Sequence, residues 1–462
     1  MYDTVILFMV AMASVAANEF PLKLLPTSTP VGGKCMDGTQ AGFYFREGSS
    51  SLFVINMNGG GGCSTKRECD GRRDTFLGSS DYWKSALEWK DIKNGLLSTS
   101  CDTNPGFCEA TAVDIPYCTQ DVHTGTHTHA SEATWNYFFD GFHNLVAIID
   151  MLIADYGLGD ATQVLLTGTS AGGIGALWNV DYVASRLPSA TVKAAPIAGW
   201  YLPGPHQTDP SEMIIFSDYQ HFKAGAHGND FDDPITTDVW GSHQLFPQDC
   251  VADYGDDYLA CATMHNRYKY IKASVFIMQN EYDPTHIFDK VGGASEKPST
   301  NEVDSTKAYI EMVGEATRAS LEQIVNGESL FEKAHPDGIF APSCLRHGMP
   351  MALELNGIKA IPLLSDWFFQ NKKHDDKHKS LDTCAHTLGE LKLPCNNYQQ
   401  CKIEDIMHLP PTGSPPTGNP IKNPIKRMPK SYYYIGAFAL ACCLVGAVIF
   451  FKRSASKSAD QY

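Results

Sequence analysis

The chain has 462 residues, 43% of them hydrophobic, and a formal net charge of −16. Length and apolar content suffice for one large α/β core, while the acidic balance disfavours nucleic acid and other polyanionic partners. No internal repeat is present.

In chain order, Val5 to Ala17 is a short apolar run ending in Val15-Ala16-Ala17, small residues suited to signal peptidase. Residues 1–17 are therefore expected to be a signal peptide, although the leading stretch carries Asp3 and no Lys or Arg. Five apolar runs then read as buried strands: Ser51 to Met57, Thr111 to Tyr117, Gln163 to Leu166, Lys193 to Ile197 and Ser274 to Gln279. Between the second and third, Trp135 to Tyr156 places Phe138, Phe142, Leu145, Ile149, Leu152, Ile153 and Tyr156 at helical period. Strand and helix in alternation predict a doubly wound, mostly parallel α/β sheet over residues 18–408. In such a sheet the chemistry lies in loops at the carboxyl ends of the strands.

The stretch 409–431 is rich in Pro, Gly and Lys and reads as an extended tether. Residues 432–451 form an uncharged apolar stretch of about 20 residues, enough to cross a hydrocarbon core of roughly 30 Å as a transmembrane helix. Tyrosines at one edge and Lys452-Arg453 at the other fit the two interfaces. Residues 452–462 would then be a short cytoplasmic tail. This arrangement predicts a single-pass membrane protein of the secretory pathway with a luminal or extracellular catalytic domain.

Cysteine usage fits that compartment. Cys442 and Cys443 fall within the apolar stretch, and the other cysteines are an even number, for which disulfides are the economical explanation. Cys63/Cys69, Cys101/Cys108 and Cys250/Cys261 are close enough to staple local loops. No C-x-x-C pair occurs, which argues against a zinc ribbon.

Gly168-Thr169-Ser170-Ala171-Gly172 follows a strand and precedes Leu177, Val180, Val183, Ala184 and Leu187, spaced about one helical turn apart. Strand, sharp turn and helix are what a nucleophilic serine needs, because its weakly acidic hydroxyl must stand clear of the sheet beside a base. Asn58-Gly59-Gly60-Gly61-Gly62-Cys63 follows the first strand, and its N–H groups can approach a ligand unobstructed by side chains. It is a candidate oxyanion hole, with the Ala171 N–H as a further donor. A phosphate cradle is disfavoured because no Lys-Ser/Thr follows the glycines. After the fifth strand, Asp283 in Asn280-Glu281-Tyr282-Asp283-Pro284 is placed to orient a histidine, and Ser343-Cys344-Leu345-Arg346-His347 offers one. The order Ser170, Asp283, His347 is that of α/β-hydrolases.

With these residues in view, the chain from roughly Phe20 to Asp366 resembles the pectin acetylesterase/Notum family of carbohydrate esterases. The resemblance is carried by the glycine run with Cys63 and Cys69, Phe76-Leu77-Gly78-Ser79-Ser80 and Asp114-Ile115-Pro116-Tyr117-Cys118. It continues through Gly168 to Gly173 with Asn179 and Asp181, Ala198-Gly199-Trp200-Tyr201, Gln279 to Asp283, and Ser343 to His347. It implies an α/β-hydrolase-like fold, a Ser170/Asp283/His347 triad and an oxyanion hole from Gly59, Gly60 and Ala171. Family members carry a tryptophan near the end of the glycine run where this chain has Gly61-Gly62, so an aromatic wall is absent there. Trp200 and Tyr201, which follow a strand, are the expected substrate-pocket residues.

His123, His127 and His129 with Asp121 lack helical register and read as a solvated or substrate-lining loop rather than a zinc site. No metal or cofactor is expected. The predicted function is a serine esterase that removes O-acetyl groups from polysaccharide or glycan. The alternatives are a Notum-like fatty-acyl protein deacylase and a catalytically inactive surface-binding protein.

Overall fold

Leu52–Met57 is buried along its length except at Asn56, the pattern of a strand covered on both faces. In the computed structural model it lies near the middle of a ten-stranded sheet. The structure describes residues 20–88, 95–201, 238–283, 285, 302–325, 337–344, 346–349, 351–369 and 378–382. All of them fall within the unit Met1–Gly413.

The sheet strands are β1 (Phe20–Leu24), β2 (Gly42–Arg46), β3 (Leu52–Met57), β4 (Ala86–Leu87), β5 (Thr111–Ile115), β6 (Gln163–Thr169), β7 (Thr191–Ile197), β8 (Ser274–Met278) and β9 (Gly338–Ala341). A small hairpin of β10 (Glu354–Leu355) and β11 (Ile358–Lys359) stands apart, and β12 (Lys379–Leu381) completes the large sheet. Its order is β12-β9-β8-β7-β6-β3-β5-β2-β1-β4. From β12 through β5 every pairing is parallel; β2, β1 and β4 extend it antiparallel. All five strands expected from apolar runs are present. The antiparallel extension was not foreseen, because its strands span only two to five residues.

The helices are α1 (Lys66–Arg73), α2 (Gly141–Asp155), α3 (Ala171–Arg186), α4 (Gln248–Tyr254), α5 (Met264–Tyr268), α6 (Glu302–Val325) and α7 (Ala360–Phe369). Alternate strand residues face opposite layers. Phe53, Ile55, Val164 and Leu166 join Leu145, Ile148 and Leu152 of α2 and Leu177, Val180 and Val183 of α3 in one core. Val54, Leu165, Ala195, Phe276 and Phe340 pack with Ile361, Leu364 and Trp367 of α7 in the other. The helix expected from Trp135 instead begins at Gly141, since Trp135 and Asn136 turn at positive φ and Phe139 bridges to His127.

Registers make the strand ends level. Met57 lies opposite Gly168, Ile197 opposite Thr169 and Met278 opposite Ile197. The loops after β3, β6, β7 and β8 therefore emerge side by side at one edge.

Four disulfides have both partners described: Cys35–Cys118, Cys63–Cys69, Cys101–Cys108 and Cys250–Cys261. Cys344 is also disulfide-bonded. The three close pairs that spacing allowed are all bonded. Among the described residues no helix is long and apolar enough to cross a membrane; the expected leader 1–17, tether 409–431 and apolar stretch 432–451 lie outside them.

Cys35–Cys118 spans 83 residues and Cys101–Cys108 spans 7. Loop-closure entropy predicts that replacing the first pair by serine costs about 4.5 kcal/mol and the second about 2.5 kcal/mol. Urea unfolding of the two double variants checks the ranking, and equal losses would contradict it.

Candidate active site

The strand-to-helix turn after β6 is made possible by two missing side chains. A Cβ at Gly172 would collide with the Met57 carbonyl oxygen at the end of β3, and one at Gly168 would collide with the Gly172 carbonyl. With both absent, α3 starts directly against the strand ends. Ser170 takes φ 61°, ψ −125°, a conformation that costs on the order of 1–3 kcal/mol for a residue with a Cβ. Its N–H is secured by the Ile197 carbonyl at 2.8 Å. The side chain, 9% exposed, is thus presented at the sheet edge ahead of the N-terminus of a 16-residue helix, whose dipole favours negative charge there.

The glycine run passes close over this serine: a Cβ at Gly59 would lie 2.9 Å from the Ser170 Cβ and collide with the Thr169 carbonyl. The run leaves β3 through Asn58, whose side chain shares the buried Asp114 carboxylate with Asn56. Burial raises the Asp114 pKa. The N–H groups of Gly59 to Gly62 and of Ala171 donate to no described acceptor, whereas Asn58 and Cys63 on either side are bonded. Backbone donors with no described acceptor beside a serine are what a developing oxyanion would require.

His347 and Asp283 come together as read from sequence. The His347 Nδ1 lies 2.9 Å and 3.0 Å from the two Asp283 carboxylate oxygens. Asp283 is 1% exposed, while the His347 side chain is 31% exposed. The carboxylate end of the pair is therefore sheltered and the imidazole reaches outward. The histidine loop lies against the elbow, since a Cβ on Gly348 would be 3.8 Å from the Thr169 Cγ2.

Two neighbouring residues hold this arrangement, and sequence reading assigned neither a role. Asn280 Nδ2 donates to the carbonyls of Arg346 and Gly348, on either side of His347, at 2.7 Å each. Gln279 accepts the Trp200 N–H at 3.0 Å and directs its own amide toward Asp283 at 3.4 Å. The available signal was their place immediately beyond β8, at the carboxyl edge.

Trp200 and Tyr201 follow β7 as expected, but both are buried. The Trp200 indole N–H donates to Ser320 Oγ at 2.9 Å, and its ring packs edge-on against Tyr268. Trp200 thus sits in the packed layer behind the loops rather than as an open wall.

The histidine-rich loop is divided: Asp121 and His123 are interior residues, whereas His127 is half-buried and His129 is exposed. Asp121 accepts from Thr119 Oγ1 and from the N–H groups of His123 and Gly141, and burial raises its pKa to about 6. The His123 Nε2 lies 2.8 Å from the Asn58 carbonyl. That nitrogen must carry the proton, because a carbonyl can only accept. Among the described residues no group of three His, Cys, Asp or Glu side chains is arranged to hold a metal ion.

Burial pushes the His123 pKa down from 6.5 to about 4. A depressed folded-state pKa contributes stability that is present above pH 6.5 and is lost as pH falls toward 4. The melting-temperature advantage of the native chain over His123→Gln is therefore expected to narrow between pH 7 and pH 4.5; a constant gap, read by scanning fluorimetry, would argue against a neutral buried His123.

Comparison with known proteins identifies the family. The chain is 29% identical to palmitoleoyl-protein carboxylesterase notum1' of Xenopus laevis over 325 residues, 68% of this chain and 59% of that protein. It is 31% identical to pectin acetylesterase 5 of Arabidopsis thaliana over 266 residues, 57% of each chain. It thus spans less than two thirds of the length of either relative. The Drosophila Wnt deacylase Notum shares the fold, with a TM-score of 0.60 at 24% identity over 76% of this chain and 92% of that one. The sequence pattern of pectinacetylesterases matches residues 13–398, and the chain belongs to the pectinacetylesterase family.

Proposed function

We propose that the protein is a serine carboxylic ester hydrolase working through an acyl-enzyme intermediate. The observation that carries this reading is the convergence at one sheet edge of Ser170 on its strained turn and the buried Asp283 paired with His347. In this reading the Ser170 hydroxyl attacks the ester carbonyl while His347 Nε2 takes its proton. Asp283 stabilises the imidazolium at Nδ1. In this reading the oxyanion is held by the N–H groups of Gly59, Gly60 and Ala171. His347 then protonates the departing alcohol, and water repeats the sequence to free the acid and regenerate the serine.

For the substrate we propose an O-acetyl group on a polysaccharide or glycan. Each buried methylene of an acyl chain contributes about 0.8 kcal/mol only where a wall covers it. Gly61-Gly62 supplies no such wall, and Trp200 is committed to the interior. The relatives include both a pectin acetylesterase and a palmitoleoyl-protein carboxylesterase, so a fatty-acyl protein ester is the second reading. We further propose that residues 432–451 anchor the chain with its site in the lumen or outside the cell, a placement with which the disulfides agree.

Ser170→Ala is expected to abolish p-nitrophenyl acetate hydrolysis and fluorophosphonate labelling without loss of fold. Asp283→Asn should lower kcat on the order of 10⁴-fold. Turnover by Ser170→Ala, or label on another serine, removes the mechanism. Across esters of increasing chain length, kcat/KM should be highest for acetyl and lower for octanoyl. A steady rise with length would favour the fatty-acyl reading.

A further inference from the structure

An oxyanion hole built from consecutive glycines has an intrinsic weakness. Glycine peptides rotate with little steric resistance, and a flipped peptide exchanges its N–H for a carbonyl oxygen. Beside a developing oxyanion, that exchange replaces a donor by a partial negative charge.

Arg72, in the last turn of α1, reaches across to this loop. Its Nη1 donates to the Gly60 carbonyl at 2.5 Å and to Gln120 Oε1 at 2.6 Å. The N–H and C=O of a trans peptide point in opposite directions, so securing the Gly60 oxygen also fixes the direction of the Gly61 N–H. A Cβ at Gly61 would lie 3.2 Å from the same Nη1, so the guanidinium is seated directly against the run.

Both supports of this contact are themselves held. Gln120 donates through Nε2 to the Leu77 carbonyl at 3.0 Å, and its own carbonyl accepts the Cys63 N–H at 3.1 Å. The helix carrying Arg72 opens on a Thr65/Glu68 capping box and is tied to the end of the glycine run by Cys63–Cys69. The cation is thus mounted on a short helix fastened to the loop it restrains.

We propose that Arg72 is a positioning residue for the oxyanion hole, locking the Gly60–Gly61 peptide so that the Gly61 N–H joins the Gly59, Gly60 and Ala171 donors and no carbonyl of the run turns toward the reacting ester. The inference rests on the serine esterase reading above and adds a residue outside the triad and the donor set. It predicts a loss that falls on turnover: the substrate's ground-state carbonyl gains little from the hole, whereas the transition state gains much.

The test uses the full chain with p-nitrophenyl acetate, kinetics being normalised to the folded fraction from circular dichroism. Arg72→Met should lower kcat by about 10²-fold, the loss seen on removing one oxyanion donor, with KM changed by less than about threefold. Fluorophosphonate labelling of Ser170 should slow in parallel. Arg72→Lys keeps the charge but not the fork and should recover only part of kcat; Gln120→Met should reproduce a smaller loss. If Arg72→Met fails to fold, Arg72→Lys and Gln120→Met carry the same comparison. Unchanged kcat in the folded variants, with Ser170→Ala inactive, overturns the inference alone. Turnover by Ser170→Ala overturns the esterase reading and this inference with it.

Discussion

The close approach of three backbones at the centre of the sheet is the constraint from which the site follows. The end of β3 at Met57, the end of β6 at Gly168 and the first turn of α3 at Gly172 occupy a space in which no Cβ fits. That contact leaves Ser170 a backbone geometry few residues adopt and sets the glycine run directly above it. Parallel registers then bring the loops after β7 and β8 to the same level. Strain at one residue is sustained by the burial of the surrounding strands, which shield it from relaxation.

Outside the strands, the edge that carries Ser170, Asp283 and His347 is held mainly by side chains bonded to backbone. Asn280 grips the two carbonyls flanking His347, His123 meets the Asn58 carbonyl, and Asn179 donates to the His123 carbonyl. Each bond satisfies a loop group that regular secondary structure would have satisfied elsewhere. Each also removes freedom from the segment it holds. Losing one member of such a buried set leaves its partner unsatisfied, at a cost of about 1–3 kcal/mol, so these loops are firmer than their lack of helix or strand implies.

Much of the parallel core was legible because its strands are buried on both faces and so appear as unbroken apolar runs. The elbow was legible for a different reason: glycines on both sides of a serine, between strand and helix, have few other uses. Asp283 and His347 could be named from chain order, and they do pair. β1 and β2 were not legible, since they are short, and β2 takes its register from β5 while β1 pairs with β2 and β4. Nor was the interior place of Asp121 and His123 visible, because polar residues in a Thr/Gly-rich stretch look solvated until their hydrogen-bond partners, drawn from Asn58 and Gly141, are brought beside them. Trp200 was correctly placed after a strand, but whether an aromatic faces a cleft or a core depends on α5 and α6, which arrive much later in the chain.

The sheet order has a consequence for synthesis on the ribosome. β3 appears early, yet both of its neighbours, β5 and β6, are made afterwards, so the future central strand must wait with two open edges. Cys35 likewise waits 83 residues for Cys118, while Cys63 and Cys69 emerge only 6 apart. The short bridge therefore has the first opportunity to close, and an emerging chain carries Cys35 unpaired past several competing thiols. Pairing of β2 with β5 in register brings the segments that carry Cys35 and Cys118 together, so the antiparallel edge assists the late bridge in closing correctly.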